Sequence, residues 1–314
     1  MRKVFFRADA GSSIGFGHFI RSLALADMLK GNVDCTFFTT NPSPYQIREM
    51  EKVCPHVALK EETKLDEFVN RLVGDEIVVL DNYFFTTDYQ RKIKAKGCKL
   101  VCIDDMHDKH YLADVVINQG VTDASLFSTD PDTRLCLGLK WVMLRREFLS
   151  IDKPVKKPDR WFVSFGGTDY NNLTAKFTEK LDTSPLTKSI TIVVGDAYRY
   201  EESLTGMKKV TLKRSLSASQ MRDEMMDAEF AVLSASTVCL EALACQCKIS
   251  AGFYVDNQRD FYSMMANAGY ILPLGDLNIT DGGDFIEKMQ ALPTPYVEGM
   301  QQTPERYINL FKTL

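Results

Sequence analysis

The residue best suited to chemistry in this sequence is His18, which ends a glycine-containing segment near the amino terminus. Gly11, Gly15 and Gly17 stand between an apolar run that predicts a buried strand and the stretch 19–29, whose apolar spacing predicts a helix. A strand, a glycine-rich turn and a helix together form ligand sites at the carboxyl ends of strands in open α/β sheets. A histidine in that position could accept a proton from a ligand. The alternative is an ordinary tight turn that carries a solvated histidine.

A second glycine-containing turn occurs in the middle of the chain. Gly166, Gly167 and Thr168 follow the run 161–165, which predicts another buried strand. Glycine lets the backbone approach a ligand closely, and backbone N–H groups suit phosphate. Neither a P-loop lysine pattern nor a complete G-x-G-x-x-G occurs, which argues against an NTPase or an NAD enzyme.

Small residues also precede a predicted helix in the second half. Ser236 and Thr237 follow a strand-like run and lead into the helix-like stretch 238–244. The N–H groups at a helix N-terminus carry about half a positive charge and suit phosphate, although either residue could be only an N-cap. Glu241 lies four residues after Thr237, so the two share a helix face. Its carboxylate could accept hydrogen bonds from ribose hydroxyls or be an ordinary solvated glutamate.

Acidic residues stand at two other predicted strand ends, at Asp81-Asn82-Tyr83 and at Asp104-Asp105. Paired acids could bind a metal or transfer protons, and they are equally common as helix caps. His107 and His110 have the spacing of a metal-binding pair, but no third ligand is evident. The sequence therefore predicts neither a metal site nor a cofactor.

The order of the predicted elements indicates an α/β protein in two halves. Short β-branched runs without in/out alternation, typical of strands buried on both faces, alternate with helix-length stretches. This order predicts parallel sheets with right-handed crossovers. The segment 150–160 contains two prolines and several charges and predicts a linker. We therefore place an N-terminal Rossmann-like domain at 1–152, a C-terminal Rossmann-like domain at 153–302, and at 303–314 a helix that could pack back on the first domain.

Composition limits the function classes. The chain has 314 residues, 45% of them hydrophobic, a formal net charge of −4 and eight scattered cysteines. That charge argues against nucleic-acid binding. No apolar run reaches the roughly 20 residues of a membrane span, and Asp9 interrupts the first one too early for a signal peptide. Free thiols fit a reducing compartment, so we expect a cytoplasmic protein with a small-molecule ligand. The oligomeric state stays open, with a monomer as one option.

Ordered blocks of the chain resemble one enzyme family. The opening block is 7–23, and later blocks are 103–105, 114–119, 144–148, 164–174 and 257–258. They run in order over nearly the whole chain and resemble the UDP-2,4-diacetamido-2,4,6-trideoxy-β-L-altropyranose hydrolases of pseudaminic acid biosynthesis. That family is related to the GT-B glycosyltransferases of the MurG type.

The resemblance implies two facing Rossmann-like domains with parallel sheets and a cleft between them. It implies a metal-independent hydrolase that releases UDP and the free sugar by water attack at the anomeric carbon. The family's catalytic base falls on His18. The residues expected to bind the UDP-sugar substrate are Arg7, Gly15, Gly17, Tyr83, Gly166, Gly167, Thr168, Ser236, Thr237, Glu241, Asn257 and Gln258.

The chain departs from this family at two positions. Many members carry a glycine pair where this chain has Ala235-Ser236-Thr237, and a histidine is frequent where it has Asn82. The second change lies on the presumed sugar side and could alter which sugar is accepted. Two other function classes remain open: a glycosyltransferase that uses a UDP-sugar donor, and a non-catalytic nucleotide-sugar binding protein. UDP release without an acceptor distinguishes the first from a hydrolase, and UDP binding without turnover identifies the second.

Overall fold

The computed structural model describes residues 1–11, 15–151, 154–167 and 169–314. The strands are β1 (Lys3–Ala8), β2 (Asp34–Thr40), β3 (His56–Leu59), β4 (Ile77–Asp81), β5 (Lys99–Ile103), β6 (His110–Tyr111), β7 (Val115–Asn118), β8 (Ser128–Thr129), β9 (Arg134–Leu137), β10 (Lys157–Ser164), β11 (Ser189–Val194), β12 (Val210–Arg214), β13 (Ala228–Ser234), β14 (Lys248–Phe253) and β15 (Leu272–Asp276). The α-helices are α1 (Gly17–Leu29), α2 (Pro44–Val53), α3 (Lys64–Asn70), α4 (Thr87–Ala95), α5 (Leu173–Thr183), α6 (Ala218–Asp227), α7 (Thr237–Ala244), α8 (Arg259–Asn267), α9 (Phe285–Gln290) and α10 (Thr303–Thr313).

The chain divides into two compact units. The first unit comprises Met1–Arg146 together with Gly299–Leu314, and the second comprises Glu147–Glu298. The first unit is therefore discontinuous in sequence, because the final helix belongs to it. The boundary predicted between Asp152 and Lys153 falls on residues outside those that the structure describes.

The first unit contains a seven-stranded parallel sheet in the order β3-β2-β1-β4-β5-β7-β9. All five residues of β4 and all four of β7 are buried, as expected for strands covered on both faces. Strand β1 pairs with β2 on one side and with β4 on the other. The strand order thus reverses between β1 and β4, and α/β proteins bind ligands at the carboxyl ends of strands at such a switch point.

The last helix, α10, packs against the first helix, α1. Helix α1 contacts strands of the sheet and also α10. Tyr307, Leu310 and Phe311 of α10 are buried, and the Tyr307 hydroxyl donates to the backbone carbonyl of Trp141. Burial of a large apolar side chain contributes about 1.5–3 kcal/mol, so these contacts fix α1, which carries His18.

The second unit contains a six-stranded parallel sheet in the order β12-β11-β10-β13-β14-β15. Its switch point lies between β10 and β13, which pair in parallel. Gly166 and Gly167 follow β10, and Ser236 and Thr237 follow β13. The phosphate-binding candidates of the second half therefore lie at the carboxyl ends of two central strands, where this type of fold binds ligands.

Part of the segment predicted to be a linker is a strand instead. Strand β10 begins at Lys157 and includes Pro158 and Asp159. The ladder with β13 includes Lys157, is then interrupted and resumes at Trp161, and Asp159 has a φ of 59°. A bulge accommodates a proline and a left-handed residue outside the regular ladder. The linker prediction for 157–160 was therefore wrong.

The cysteine side chains lie in the interior of the protein. All eight cysteines are free and buried. Burial raises the pKa of the Cys35 and Cys239 thiols to about 12, so they stay protonated at neutral pH. Among helices in the described parts of the chain, none combines the length and hydropathy that a membrane span requires.

Candidate active site

The carboxylate of Asp81 is the centre of a buried polar cluster at the switch point of the first unit. Asp81 ends β4 and is 1% exposed. Arg21 and Ser22 lie three and four residues after His18 on α1. The three side chains therefore share one face of that helix. Because α1 follows β1, the neighbour of β4, the side chains of all three residues reach Asp81.

The contacts within this cluster are short. Nδ1 of His18 lies 2.7 Å from Oδ1 of Asp81, and the Ser22 hydroxyl donates to Oδ2 at 2.8 Å. Arg21 donates to both oxygens of Asp81, from Nε at 2.7 Å and from Nη2 at 2.5 Å. Its Nη1 donates to Asp105 at 2.5 Å. One guanidinium therefore joins two carboxylates and holds Asp81 in a bidentate pair.

The charge state of Asp81 determines where His18 carries its proton. Burial alone would raise the pKa of Asp81, but the charges and hydrogen bonds of Arg21 and His18 outweigh burial and lower this pKa to about 2. An ionised carboxylate can only accept hydrogen bonds, and Nδ1 of His18 lies closer to Oδ1 of Asp81, at 2.7 Å, than to Nη2 of Arg21, at 3.1 Å. We therefore assign the proton of neutral His18 to Nδ1. Nε2 is then the unprotonated nitrogen, which can accept a proton from a ligand.

The lowered pKa of Asp81 predicts an acid-sensitive component of stability. The folded-state pKa lies below the ordinary value of 3.8, so this stabilisation is complete above about pH 4 and is lost as the pH falls through 2. Its full size is about 2 kcal/mol, of which about half is lost by pH 3. We expect urea unfolding to show a difference in free energy between wild type and Asp81→Asn that shrinks from pH 6 to pH 3. A difference that does not change with pH would contradict this assignment.

A pocket opens beside His18. Its polar lining comes from His18 and Arg21 on α1, Asn82 and Tyr83 after β4, Gln90 on α4, Asp104, Asp105 and Lys109 after β5, and Tyr111 on β6. The Tyr83 ring packs edge-on against the His18 ring with 4.5 Å between centroids, and its hydroxyl donates to Asp105 at 3.2 Å. Tyr83 is 39% exposed, so the residue predicted to lie near the sugar is at the surface beside the candidate base.

Arg7, which was expected to contact the substrate, is fully buried. Its guanidinium donates to both carboxylate oxygens of Asp9, at 2.5 and 2.8 Å, and Asp9 also accepts from the backbone N–H of Thr40 at 2.8 Å. The side-chain oxygen of Asn82 accepts from the backbone N–H of Asp9 at 2.7 Å. Arg7 and Asn82 thus hold the chain where it leaves β1, just before the glycine-containing segment.

Two of the three glycines in that segment bond to each other, and the third begins a helix. Gly11 and Gly15 exchange two backbone hydrogen bonds, of 3.3 and 2.8 Å. Gly15 has a φ of 78°, which requires the conformational freedom of glycine, whereas Gly17 begins α1. The residues between Gly11 and Gly15, numbered 12–14, lie outside the described part of the chain.

In the second unit the two predicted phosphate-binding segments follow neighbouring strands. Gly166 and Gly167 follow β10, and Ser236 and Thr237 lie at the start of α7, after the neighbouring strand β13. Ser236 is the N-cap residue of α7, but its side chain makes no capping hydrogen bond. Thr168, which belongs to the first group, lies outside the described residues.

The other three predicted residues of this unit differ in exposure. Glu241 lies on α7 and is 3% exposed. Asn257 is exposed in the turn after β14, and its neighbour Gln258 is 8% exposed. The side-chain oxygen of Gln258 accepts from the backbone N–H of Tyr254 at 3.1 Å, so this residue holds the turn that carries Asn257.

Two features of the sites were not predicted from the sequence. A Cβ atom at Gly195 would lie 2.6 Å from the carbonyl oxygen of Gly167, so Gly195 allows the strand end after β11 to pack against the turn after β10. The available signal was a glycine directly after a strand. The contact of Asp81 with Arg21 was also not predicted, although His18, Arg21 and Ser22 have the spacing of a helix face.

The paired acids after β5 have separate roles. The Asp104 carboxylate accepts from the backbone N–H groups of Met106 and His107 in the segment between β5 and β6, where no helix begins, so the capping alternative is not realised. Asp105 accepts from Arg21, and both acids line the pocket. Among the residues that the structure describes, no group of three or more His, Cys, Asp or Glu side chains is placed to hold a metal ion.

Three curated proteins resemble this chain. It is 27% identical over 288 residues to the UDP-2,4-diacetamido-2,4,6-trideoxy-beta-L-altropyranose hydrolase of Campylobacter jejuni, covering 85% of this chain and 97% of that protein. It is 25% identical over 302 residues to the spore coat polysaccharide biosynthesis protein SpsG of Bacillus subtilis, covering 92% and 88%. It is also 26% identical over 278 residues to an uncharacterised protein of Methanocaldococcus jannaschii, of which it spans 57%. No family model matches the chain. These relatives confirm the resemblance drawn from the sequence motifs.

A solved structure shows the fold. MurG of Acinetobacter baumannii matches with a TM-score of 0.67 over 100% of both chains, at 13% identity. At that identity the likeness concerns architecture alone. The predicted α/β fold with parallel sheets, of the GT-B type, is confirmed.

Proposed function

We propose that the protein hydrolyses a UDP-linked 2,4-diacetamido-2,4,6-trideoxy hexose to UDP and free sugar, in the biosynthesis of a nonulosonic acid such as pseudaminic acid. The observation that carries this proposal is the ion-paired Asp81, which orients His18 beside a pocket. The name of the Campylobacter relative supports the substrate class, and the name of the Bacillus relative supports a role in polysaccharide biosynthesis.

In the proposed reaction, His18 is the general base. Water attacks the anomeric carbon while Nε2 of His18 takes its proton. The bond between that carbon and the β-phosphate oxygen breaks, and its electron pair leaves with UDP. The imidazolium that forms donates from Nδ1 to the ionised Asp81, which stabilises its charge. Because a nucleoside diphosphate is a good leaving group, no metal ion is required in this scheme.

We assign nucleotide binding to the second unit. The turn at Gly166 and Gly167 and the start of α7 at Ser236 and Thr237 offer backbone N–H groups to the diphosphate. The small side chains at 235–237 keep that backbone accessible although the family's glycine pair is absent. We assign to Glu241, four residues after Thr237 on α7, the role of accepting hydrogen bonds from the ribose hydroxyls.

The role of Glu241 predicts a loss of nucleotide affinity. Hydrogen bonds to a charged acceptor contribute about 1.5–3 kcal/mol, so Glu241→Ala should raise the Kd for UDP by about 10- to 100-fold. Isothermal titration calorimetry measures this change. Glu179→Ala, an exposed glutamate of α5 in the same unit, is the matched control and should bind UDP like wild type. Equal affinity in the Glu241 variant would remove this residue from the nucleotide site.

The reaction class can be tested with purified protein. We would incubate it with a panel of UDP-2,4-diacetamido-trideoxy sugars in EDTA, without an acceptor, and follow UDP release and the anomeric configuration of the product. Hydrolysis predicts release under these conditions. Release that requires an added acceptor would identify a transferase, and UDP binding without release would identify a binding protein.

We place this reaction in the cytoplasm. The eight buried free thiols support a reducing compartment, and a UDP-sugar is a small-molecule partner that needs no nucleic acid or membrane. Gly15 and Gly17 are assigned to the sugar side of the substrate, since they lie directly before His18 at the start of α1.

A further inference from the structure

The pocket beside His18 presents a hydrogen-bond donor and an acceptor on the segment that follows β5. The Lys109 side chain is 17% exposed, and its ammonium group pairs with Asp108 at 2.7 Å. An ammonium group carries three donors, so the pairing with Asp108 leaves donors for a ligand. Lys109 is therefore suited to bind a carbonyl oxygen in the pocket.

The acceptor is Asp105, which is held in place before any ligand binds. Its side chain is 24% exposed, and its two oxygens accept from Arg21 at 2.5 Å and from the Tyr83 hydroxyl at 3.2 Å. A carboxylate offers about four acceptor positions, so it can accept a further N–H. Because Arg21 also holds Asp81, the acceptor is fixed relative to His18.

Part of the pocket lining is apolar. Leu80, Phe85, Cys102 and Ile103 line it and are buried. Contact of a methyl group with such a surface removes apolar area from water and therefore favours binding. The pocket therefore combines a donor, a fixed acceptor and an apolar surface.

We infer that this pocket binds an acetamido substituent of the sugar and distinguishes it from a hydroxyl. The amide N–H of the substituent donates to Asp105, its carbonyl accepts from Lys109, and its methyl group contacts the apolar lining. A hydroxyl at the same carbon has no methyl group to contact the apolar lining. This inference rests on the proposed function for the sugar beside His18 and adds the residues that select its substituent.

The kinetic test uses Lys109→Met, which keeps the length of the side chain and removes its charge and donors. Two substrates are compared: a UDP-2,4-diacetamido-trideoxy sugar and its analogue with a hydroxyl in place of one acetamido group. We expect wild type to prefer the first by at least about tenfold in kcat/KM at one of the two positions, and Lys109→Met to lose most of that preference. Lys109→Arg should restore part of it. Lys92→Met, an exposed lysine of α4, is the matched control.

A second measurement does not depend on turnover. In a His18→Ala background, saturation-transfer NMR with the diacetamido substrate reports contact of each acetamido methyl group with the protein. We expect the signal of one methyl group, relative to the uracil protons, to fall at least about twofold when Lys109→Met is added, with the Kd for UDP unchanged.

These measurements separate the pocket from the reaction. If no UDP is released but one methyl signal depends on Lys109, the pocket assignment stands and the hydrolase proposal fails. If UDP is released but neither the preference nor any methyl signal depends on Lys109, the pocket assignment is overturned and the hydrolase proposal stands.

Discussion

We expect His18→Ala to lower kcat for UDP release by at least about a hundredfold, with little change in the KM for the UDP-sugar. A positioned general base contributes about 10²–10⁴ in rate, and the variant removes the nitrogen that takes the proton of the attacking water. The UDP moiety is assigned to the second unit, so its binding should persist. Steady-state kinetics and a thermal melt of the same preparation measure both quantities.

The control for this variant is His56→Ala, which replaces a half-buried histidine of β3 in the same sheet. It should retain wild-type turnover, since β3 lies at the edge of the sheet, away from the switch point. If His18→Ala is folded, binds UDP and releases it at the wild-type rate, His18 is not the base.

Asp81→Asn is expected to lower kcat by a comparable factor through His18. The asparagine amide can present an N–H group to Nδ1, which favours the tautomer with its proton on Nε2 and removes the acceptor of the water's proton. In the serine-protease triad the equivalent exchange lowers kcat by about 10⁴. Asp81 is thus a positioning residue, which acts on the reaction through the tautomer of His18.

Stability must be measured beside activity for this variant. Removal of one partner of a buried ion pair costs about 3–5 kcal/mol, and the cost should be smaller here because Arg21 keeps Asp105. Asp114→Asn is the matched control: Asp114 pairs with Lys94 and Lys99 and accepts from the Leu100 N–H, outside the pocket lining. It should lose stability without losing kcat. A similar loss of kcat in both variants would assign Asp81 a purely structural role.

Most strands that sequence patterns predicted contain buried, β-branched runs. Strands such as β4 and β14 follow from their composition, because strands covered on both faces must be apolar throughout. The edge strands β3 and β15 were not predicted. Edge positions are only partly buried, and β15 contains Pro273 and Gly275, so neither presents a continuous apolar run.

The candidate site could be predicted only as far as its local sequence allowed. His18 was identifiable because the glycines, the strand and the helix around it are contiguous. Asp81 lies 63 residues from His18, and their contact depends on β4 lying next to β1, which pattern alone does not determine. Arg7 is a different case. Asp9 is only two residues away, where extended chain places side chains on one side, so the sequence did contain a signal for their pairing.

The place of α10 in the first unit has a consequence for the order in which the protein is made. Helix α1 is translated before the second unit, whereas α10, which packs on it, is translated after that unit. The apolar side chains of α1 that α10 covers therefore stay open throughout the synthesis of the second unit. The helix that bears the candidate base acquires its full set of contacts only after residues 303–313 have been translated.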